Sequence, residues 1–247
     1  MILRAEELSK AYRHRGGRRI ALEGVSLELD RGEVLGIFGA AGAGKTTLLR
    51  LLAGLERPDH GRITYAGEPL ELMSGARRAR YLRREVGCVW RAEAYAEGMR
   101  VLENVMLPLL IDHRERRWAE RRARRVLLAC EADQCIDMEV QELSDGERQL
   151  VAIARALVSE PRVLLVDGVV TDLSLHERNA IMRLLSSLAK DAKIAVVVTG
   201  AQAVSLPQVD TLLYMSGGRL VNERPLAALG EVVRLPVPRA STLAADA

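Results

Sequence analysis

The sequence predicts an α/β fold, a buried sheet with a block of helices inserted into its middle, and three features predict it. Val34–Phe38 is a short apolar run of the kind shown by a strand buried on both faces. It leads through the glycine-rich Gly39–Gly44 into a helical pattern with leucines at 48, 49, 51, 52 and 55. Strand signals return far along the chain, while the stretch between, from about Arg100 to Ser159, is helical in pattern with few strand signals.

Taken in order, the first ~90 residues read as strands separated by turns. Leu22–Leu29 alternates apolar and polar side chains, and Asp30-Arg31-Gly32 makes a turn before Val34–Phe38. The helix that opens at Lys45 is closed by Gly54. Arg62–Tyr65 and Val86–Trp90 are further strand candidates. After the helical block come strands at Val163–Asp167, Ile194–Thr199, Thr211–Met215 and Arg219–Val221, with a helix over Leu175–Lys190 between the first two. Beyond Pro225 the chain turns Ala-, Pro- and Val-rich, and a loosely attached tail is expected past about Arg234. The expected division is one domain over residues 1–225, with a core of about 1–90 and 160–225, a helical subdomain of about 91–159, and a C-terminal tail over 226–247.

Composition narrows the function classes. With 247 residues, 49% hydrophobic and 28% charged, the chain has enough length for a sizeable core and is neither collagen-like nor disordered. Its longest apolar stretches, such as Val105–Ile111, fall far short of the ~18–20 residues that a membrane-spanning helix needs. The charged start, Met1-Ile2-Leu3-Arg4, is not a secretory signal, so a cytoplasmic location is expected. The net charge of +3 comes from 36 basic and 33 acidic residues, and only Lys10, Lys45, Lys190 and Lys193 among the basic ones are lysines. Arg77–Arg84 and Arg114–Arg125 read as solvated helix faces with i,i+4 pairs, or else as contacts for an anionic surface. Nucleic acid is not expected, since the chain has a single Phe and no aromatic ladder along its basic runs. Cys88, Cys130 and Cys135 lack metal-ligand spacing and read as reduced thiols.

One segment carries chemistry. Gly39-Ala40-Ala41-Gly42-Ala43-Gly44-Lys45-Thr46-Thr47 fits G-x-x-x-x-G-K-[ST] and lies between a buried strand and a helix. Such glycines let the backbone curl with its N–H groups inward, a concavity for phosphate oxygens capped by a helix N-terminus. Lys45 would reach the β- and γ-phosphates and the Thr46 hydroxyl would ligate Mg²⁺. The dinucleotide fingerprint G-x-G-x-x-G fails, because position 47 is Thr and a lysine sits inside the loop.

Beyond that loop, Leu143-Ser144-Asp145-Gly146-Glu147-Arg148-Gln149 leads into Val151–Leu157, and Glu160-Pro161 leads into Val163-Leu164-Leu165-Val166-Asp167. In this order and spacing, residues 2 to 225 resemble the ATP-binding cassette of ABC transporters. Val101-Leu102-Glu103-Asn104-Val105 and Leu107–Leu110 most resemble its lipoprotein-release and macrolide-export branch. The resemblance implies a P-loop NTPase core of the ABC type, with a mixed sheet, N-terminal antiparallel strands and an inserted helical subdomain. It also implies ATP and Mg²⁺ as cofactors. Tyr12 then lies where the family stacks an aromatic on adenine, although a tyrosine there also reads as half-buried packing. Asp167, ending an apolar strand, would hold Mg²⁺ through water opposite Thr46, and Ser144 and Gly146 belong to the signature that faces a second cassette's nucleotide.

The same resemblance exposes departures where hydrolysis takes place. The family's water-polarising Glu is Gly168, its switch His is Gly200 and its Gln is Arg91. Val169–Ser174 lacks the usual Pro and has Ser174 in place of an Asp, and Asp145 replaces the first signature glycine. No catalytic residue is therefore assigned, and hydrolysis is expected to be weak or absent while nucleotide binding persists. The implied partners are a membrane permease and a second cassette in a homo- or heterodimer, with membrane contact only through the permease. A nucleotide-sensing regulator or scaffold, or an ATPase active only beside an intact partner cassette, are the other readings.

Overall fold

The computed structural model describes residues 1–14, 17–91, 95–168, 173–201 and 208–221. The tail over 226–247 and the positions Val169–Asp172 lie outside the described residues.

Two sheets stack on either side of a shared core. The first is antiparallel, in the order β2-β1-β4-β5, from β1 (Leu3–His14), β2 (Gly17–Leu29), β4 (His60–Tyr65) and β5 (Glu68–Pro69). The second has the order β10-β9-β3-β8-β7-β6, from β3 (Val34–Phe38), β6 (Val86–Val89), β7 (Val163–Val166), β8 (Ala195–Gly200), β9 (Thr211–Ser216) and β10 (Arg219–Val221). Its strands pair in parallel except β9 with β10, which makes the sheet mixed as expected. The strand β1 is the main element that alternation in the sequence did not single out; its register shifts near Leu8 and Lys10 break the period-2 pattern.

The central strands read as continuous apolar runs because both of their faces are buried. Val34, Phe38, Leu164, Val166, Val196 and Val198 face a cluster shared with the helices α3 (Val101–Ile111), α4 (Arg116–Ala129), α5 (Asp145–Leu157) and α6 (Leu175–Ala192). Leu35, Ile37, Val163, Leu165, Ala195 and Val197 face the antiparallel sheet and α1 (Lys45–Leu52). Each strand thus divides its side chains by alternate residues between two cores.

The helices end where local chemistry ends them. Gly54, at φ 73°, returns its N–H to Leu51 O at 2.9 Å and closes α1 just after Ala53. Ser144 and Glu147 form a reciprocal capping box at the start of α5, and Ser174 and Glu177 do so for α6. The run Arg77–Arg84 falls on a short helix α2 (Gly75–Arg80) and one π-helical turn over Tyr81–Glu85. Arg77 bridges Glu68 and Glu85, and Arg83, Arg84 and Arg114 all meet Asp112. In α4 the expected i,i+4 pair appears between Glu120 and Arg124, while Ala119, Ala123, Val126 and Leu127 face inward. No helix among the described residues is long and apolar enough to cross a membrane. Cys88, Cys130 and Cys135 are free thiols, and burial pushes Cys130 up to about 12.

The register sets the site. Phe38 pairs with Gly200, and Val166 with Val198 and Val89, so β3, β6, β7 and β8 finish along one carboxyl edge. In open parallel sheets that edge is where ligands bind.

Candidate functional site

A cleft of about 690 Å³ opens at this edge. The loop after β3 forms its floor. Gly39 N–H donates to Gly200 O at 3.2 Å, tying the loop to the end of β8. Gly42 and Gly44 adopt φ of 78° and 111°, left-handed values that side chains rarely take. A Cβ at Gly39 would collide with the Met215 carbonyl, and one at Gly44 with the Ala21 carbonyl, so the motif's glycines are needed for space as well as curvature. Ala41 to Thr47 line the cleft, with Gly39 and Ala40 as the base of the loop.

Lys45 folds back over that base and donates to the carbonyls of Gly39 at 2.6 Å and Ala40 at 2.9 Å. Its pKa is lowered, first by burial and further by Arg91, with Asp167 opposing the shift. Asp167 is 7% exposed and is held from two sides: the Thr46 hydroxyl donates to Oδ2 and the Thr199 hydroxyl to Oδ1, both at 2.7 Å. A hydroxyl and a carboxylate oxygen in contact form a pair of hard donors, a donor set that would suit Mg²⁺, with Thr46 and Asp167 as the residues to hold it. Among the described residues no cluster of three or more His, Cys, Asp or Glu offers a protein-only metal cage.

Tyr12 reaches the cleft from within β1. Its hydroxyl donates to Glu56 Oε2 at 2.5 Å, and its pKa is raised by burial and by that carboxylate. The hydroxyl is thereby tethered, and Lys10 Nζ lies 5.8 Å from the ring centroid. Directly across the hairpin from Tyr12 stands Arg19, which also lines the cleft. Arg19 and Thr199 are the site residues that sequence reasoning missed. The clue to Thr199 was its place at the end of a buried apolar strand; Arg19 is identified only by its pairing with Tyr12.

The departures cluster in the same cleft. Gly168 is at φ 74° and its N–H donates to Thr199 Oγ1 at 3.1 Å. A Cβ at Gly168 would touch Cβ, Cγ and Cδ of Arg91 at 3.4–3.5 Å. Arg91, Gly168 and Gly200 all line the cavity beside the phosphate loop. The signature residues lie elsewhere. Ser144 caps α5, Asp145 occupies its first turn, and Gly146 packs so closely that a Cβ would sit 2.6 Å from Glu177 Oε1. Neither Ser144 nor Gly146 lines the cleft of this chain.

Known proteins share this architecture. The family model "ABC transporter" matches residues 22–171. The lipoprotein-releasing system ATP-binding protein LolD of Pseudomonas syringae pv. tomato is 34% identical over 220 residues, covering 89% of this chain and 97% of that protein. LolD of Chromohalobacter salexigens is also 34% identical, covering 89% and 93% respectively. The structure of the ATP-binding cassette MJ0796, solved as a dimer in a post-hydrolysis state with ADP and Pi, aligns with a TM-score of 0.82 at 26% identity over 92% of this chain and 100% of its own. From a family match over more than half its length, borne on a two-sheet core with a phosphate loop at the carboxyl edge, the chain belongs to the ABC transporter family.

Proposed function

We propose that this chain is the ATP-binding subunit of an ABC transporter and that it holds Mg-ATP with little or no hydrolysis. The observation that carries the second half is Gly168. The position next to Asp167 has no side chain, its backbone is left-handed, and the stem of Arg91 lies against it.

The binding half rests on groups that remain. Inward N–H groups of Gly42–Thr47 and the ammonium of Lys45 would take the phosphates, Tyr12 would stack on the base, and Thr46 with Asp167 would hold Mg²⁺. A metal held by Thr46 and Asp167 would supply charge neutralisation at the phosphates. Lys45 needs little rearrangement, because its ammonium already lies over the loop carbonyls. What the site lacks is a group to orient and deprotonate water. A positioned general base contributes roughly 10²–10⁴-fold, and Gly168 and Gly200 supply no proton acceptor. Turnover is then limited to what binding and electrostatics alone provide.

The likeness to LolD and to a dimeric cassette supports a membrane permease and a second cassette as partners, with the chain held at the cytoplasmic face through the permease. We take the cassette to span residues 1–225, with 91–159 as its helical part. Leu143–Glu147 would face the second cassette's nucleotide, where Asp145 brings a negative charge toward phosphate. The test is ATP binding and steady-state hydrolysis by the purified chain, alone and with its permease and partner. Binding near micromolar without turnover supports the proposal. Turnover of the chain alone at about 1 s⁻¹, an ordinary enzyme rate, sinks it. Turnover only beside an intact cassette assigns the catalysis to the other site.

A further inference from the structure

We infer that Thr199 is a positioning residue for the metal: its hydroxyl locks the Asp167 carboxylate so that Oδ2 is the oxygen presented beside Thr46. The inference deepens the nucleotide-binding reading above and rests on Thr46 and Asp167 as the holders of Mg²⁺.

The sheet register brings the three residues together. Val166 pairs with Val198, so Asp167 and Thr199 follow side by side past the end of that ladder. Two residues earlier on each strand, Leu165 and Val197 face the core shared with α1, whose first turn carries Thr46. Buried polar side chains are few among the described residues: Asn104, Asp167 and Thr199. Thr199 ends the run Ala195–Val198 at 0% exposure, where a valine would fill the same space. A hydroxyl buried there costs free energy unless it is bonded, and its bonds go to Asp167 and Gly168.

Chemistry fixes the direction of those bonds. Gly168 N–H can only donate, so Thr199 Oγ1 accepts from it at 3.1 Å and spends its single proton on Asp167 Oδ1 at 2.7 Å. Thr46 holds the other oxygen, Oδ2, at 2.7 Å. The last torsion of an aspartate is broad and two-fold, and one hydrogen bond leaves that turn open. A second bond, made at the other oxygen from a different element, closes it. Thr46 sits on α1 and Thr199 on β8, so the carboxylate is gripped between helix and sheet. Outer partners that orient a metal-ligating group typically cost about 10–100-fold in metal affinity when they are removed. The hydroxyl can be removed cleanly here, because Gly168 N–H also reaches the Thr199 carbonyl at 3.2 Å and keeps that partner. What a valine at 199 loses is the bond to Asp167.

The experiment is fluorescence titration of the full chain with ATP, in Mg²⁺ and in EDTA, for wild type, Thr199→Val, Thr199→Ser and Lys45→Ala, with a melting curve for each. Wild type is expected to bind ATP about tenfold or more tightly in Mg²⁺ than in EDTA. Thr199→Val should shrink that gain about tenfold while affinity in EDTA stays within about threefold of wild type. Thr199→Ser restores the hydroxyl and should keep the gain within about threefold. Should the valine variant melt early, Thr199→Ala takes its place. An undiminished gain in Thr199→Val overturns the inference, as does a loss of equal size in Mg²⁺ and EDTA, or a serine variant that behaves like valine. Equal affinities in Mg²⁺ and EDTA for wild type overturn it together with the metal assignment. Binding by wild type that Lys45→Ala abolishes keeps the nucleotide-binding reading in each of these cases. No binding by wild type overturns both.

Discussion

Restoring the missing carboxylate by Gly168→Glu is the most direct challenge to the site, and the backbone sets its outcome. At φ 74°, Gly168 occupies a region that costs an ordinary L-residue about 1–2 kcal/mol. The Cβ itself is not a steric obstacle, because Arg91 carbons at 3.4–3.5 Å make normal contact. Gly168→Ala should therefore isolate the backbone term. In a chain of this size about 1–2 kcal/mol corresponds to roughly 2–8 °C in Tm, and the Ala and Glu variants should show similar losses by calorimetry. The Glu side chain would also leave a left-handed backbone beside Arg91, which would draw it into an ion pair instead of toward water. Hydrolysis by Gly168→Glu alone should stay within about threefold of wild type, against the ~10²–10⁴-fold that a positioned base provides. Adding Arg91→Gln and Gly200→His should be needed before turnover rises. A Gly168→Ala variant that melts at or above the wild-type temperature refutes the backbone argument. A single Gly168→Glu variant with a hundredfold gain in turnover refutes the claim that more than one side chain is missing.

Three further outcomes follow from the geometry. Asp167→Asn keeps the shape but loses the charge that Thr46 and Thr199 both donate to; nucleotide affinity should become equal in Mg²⁺ and in EDTA, as read by titration. Tyr12→Leu removes a ring held in place by Glu56 and should weaken ATP by about 1–3 kcal/mol, with triphosphate alone unaffected. Lys45, whose pKa is lowered mainly by burial, binds fewer protons folded than unfolded just below the ordinary lysine range near ~10.4. Nucleotide affinity should therefore decline with rising pH before a free lysine would titrate, while the stability of the empty chain rises over the same window. Affinity that holds level up to the ordinary lysine value would contradict the lowered pKa.

The parts of this molecule that a linear pattern can encode were legible in its sequence. Val34–Phe38, Val163–Val166 and Ala195–Gly200 sit within a residue or so of where apolar runs placed them, since strands buried on both faces have no polar residue to blur them. The phosphate loop was legible because its glycines answer to a backbone requirement that few other residues meet. The place of Arg19 at the cleft was not, because it is set by a hairpin register, and the shifts between Leu8 and Ala11 make that register unreadable by alternation. At Gly168 the loss of a carboxylate could be read directly, but not the left-handed backbone.

In the proposed function, that last difference is how binding and hydrolysis would separate within one cleft. Binding would, in that proposal, rest on the backbone of the loop, on Lys45 bonded to that same loop, and on a carboxylate held between two threonines. The register of β3, β7 and β8 brings these groups together at one edge of the sheet. Hydrolysis in the family pattern depends instead on side chains at strand ends, which can be lost without cost to the core. At 168 the glycine is left-handed, its N–H reaches Thr199 Oγ1, and the stem of Arg91 lies against it. Each adjustment makes the return of a glutamate less favourable. Under the proposed reading, gaining hydrolysis takes a change of backbone as well as of side chain.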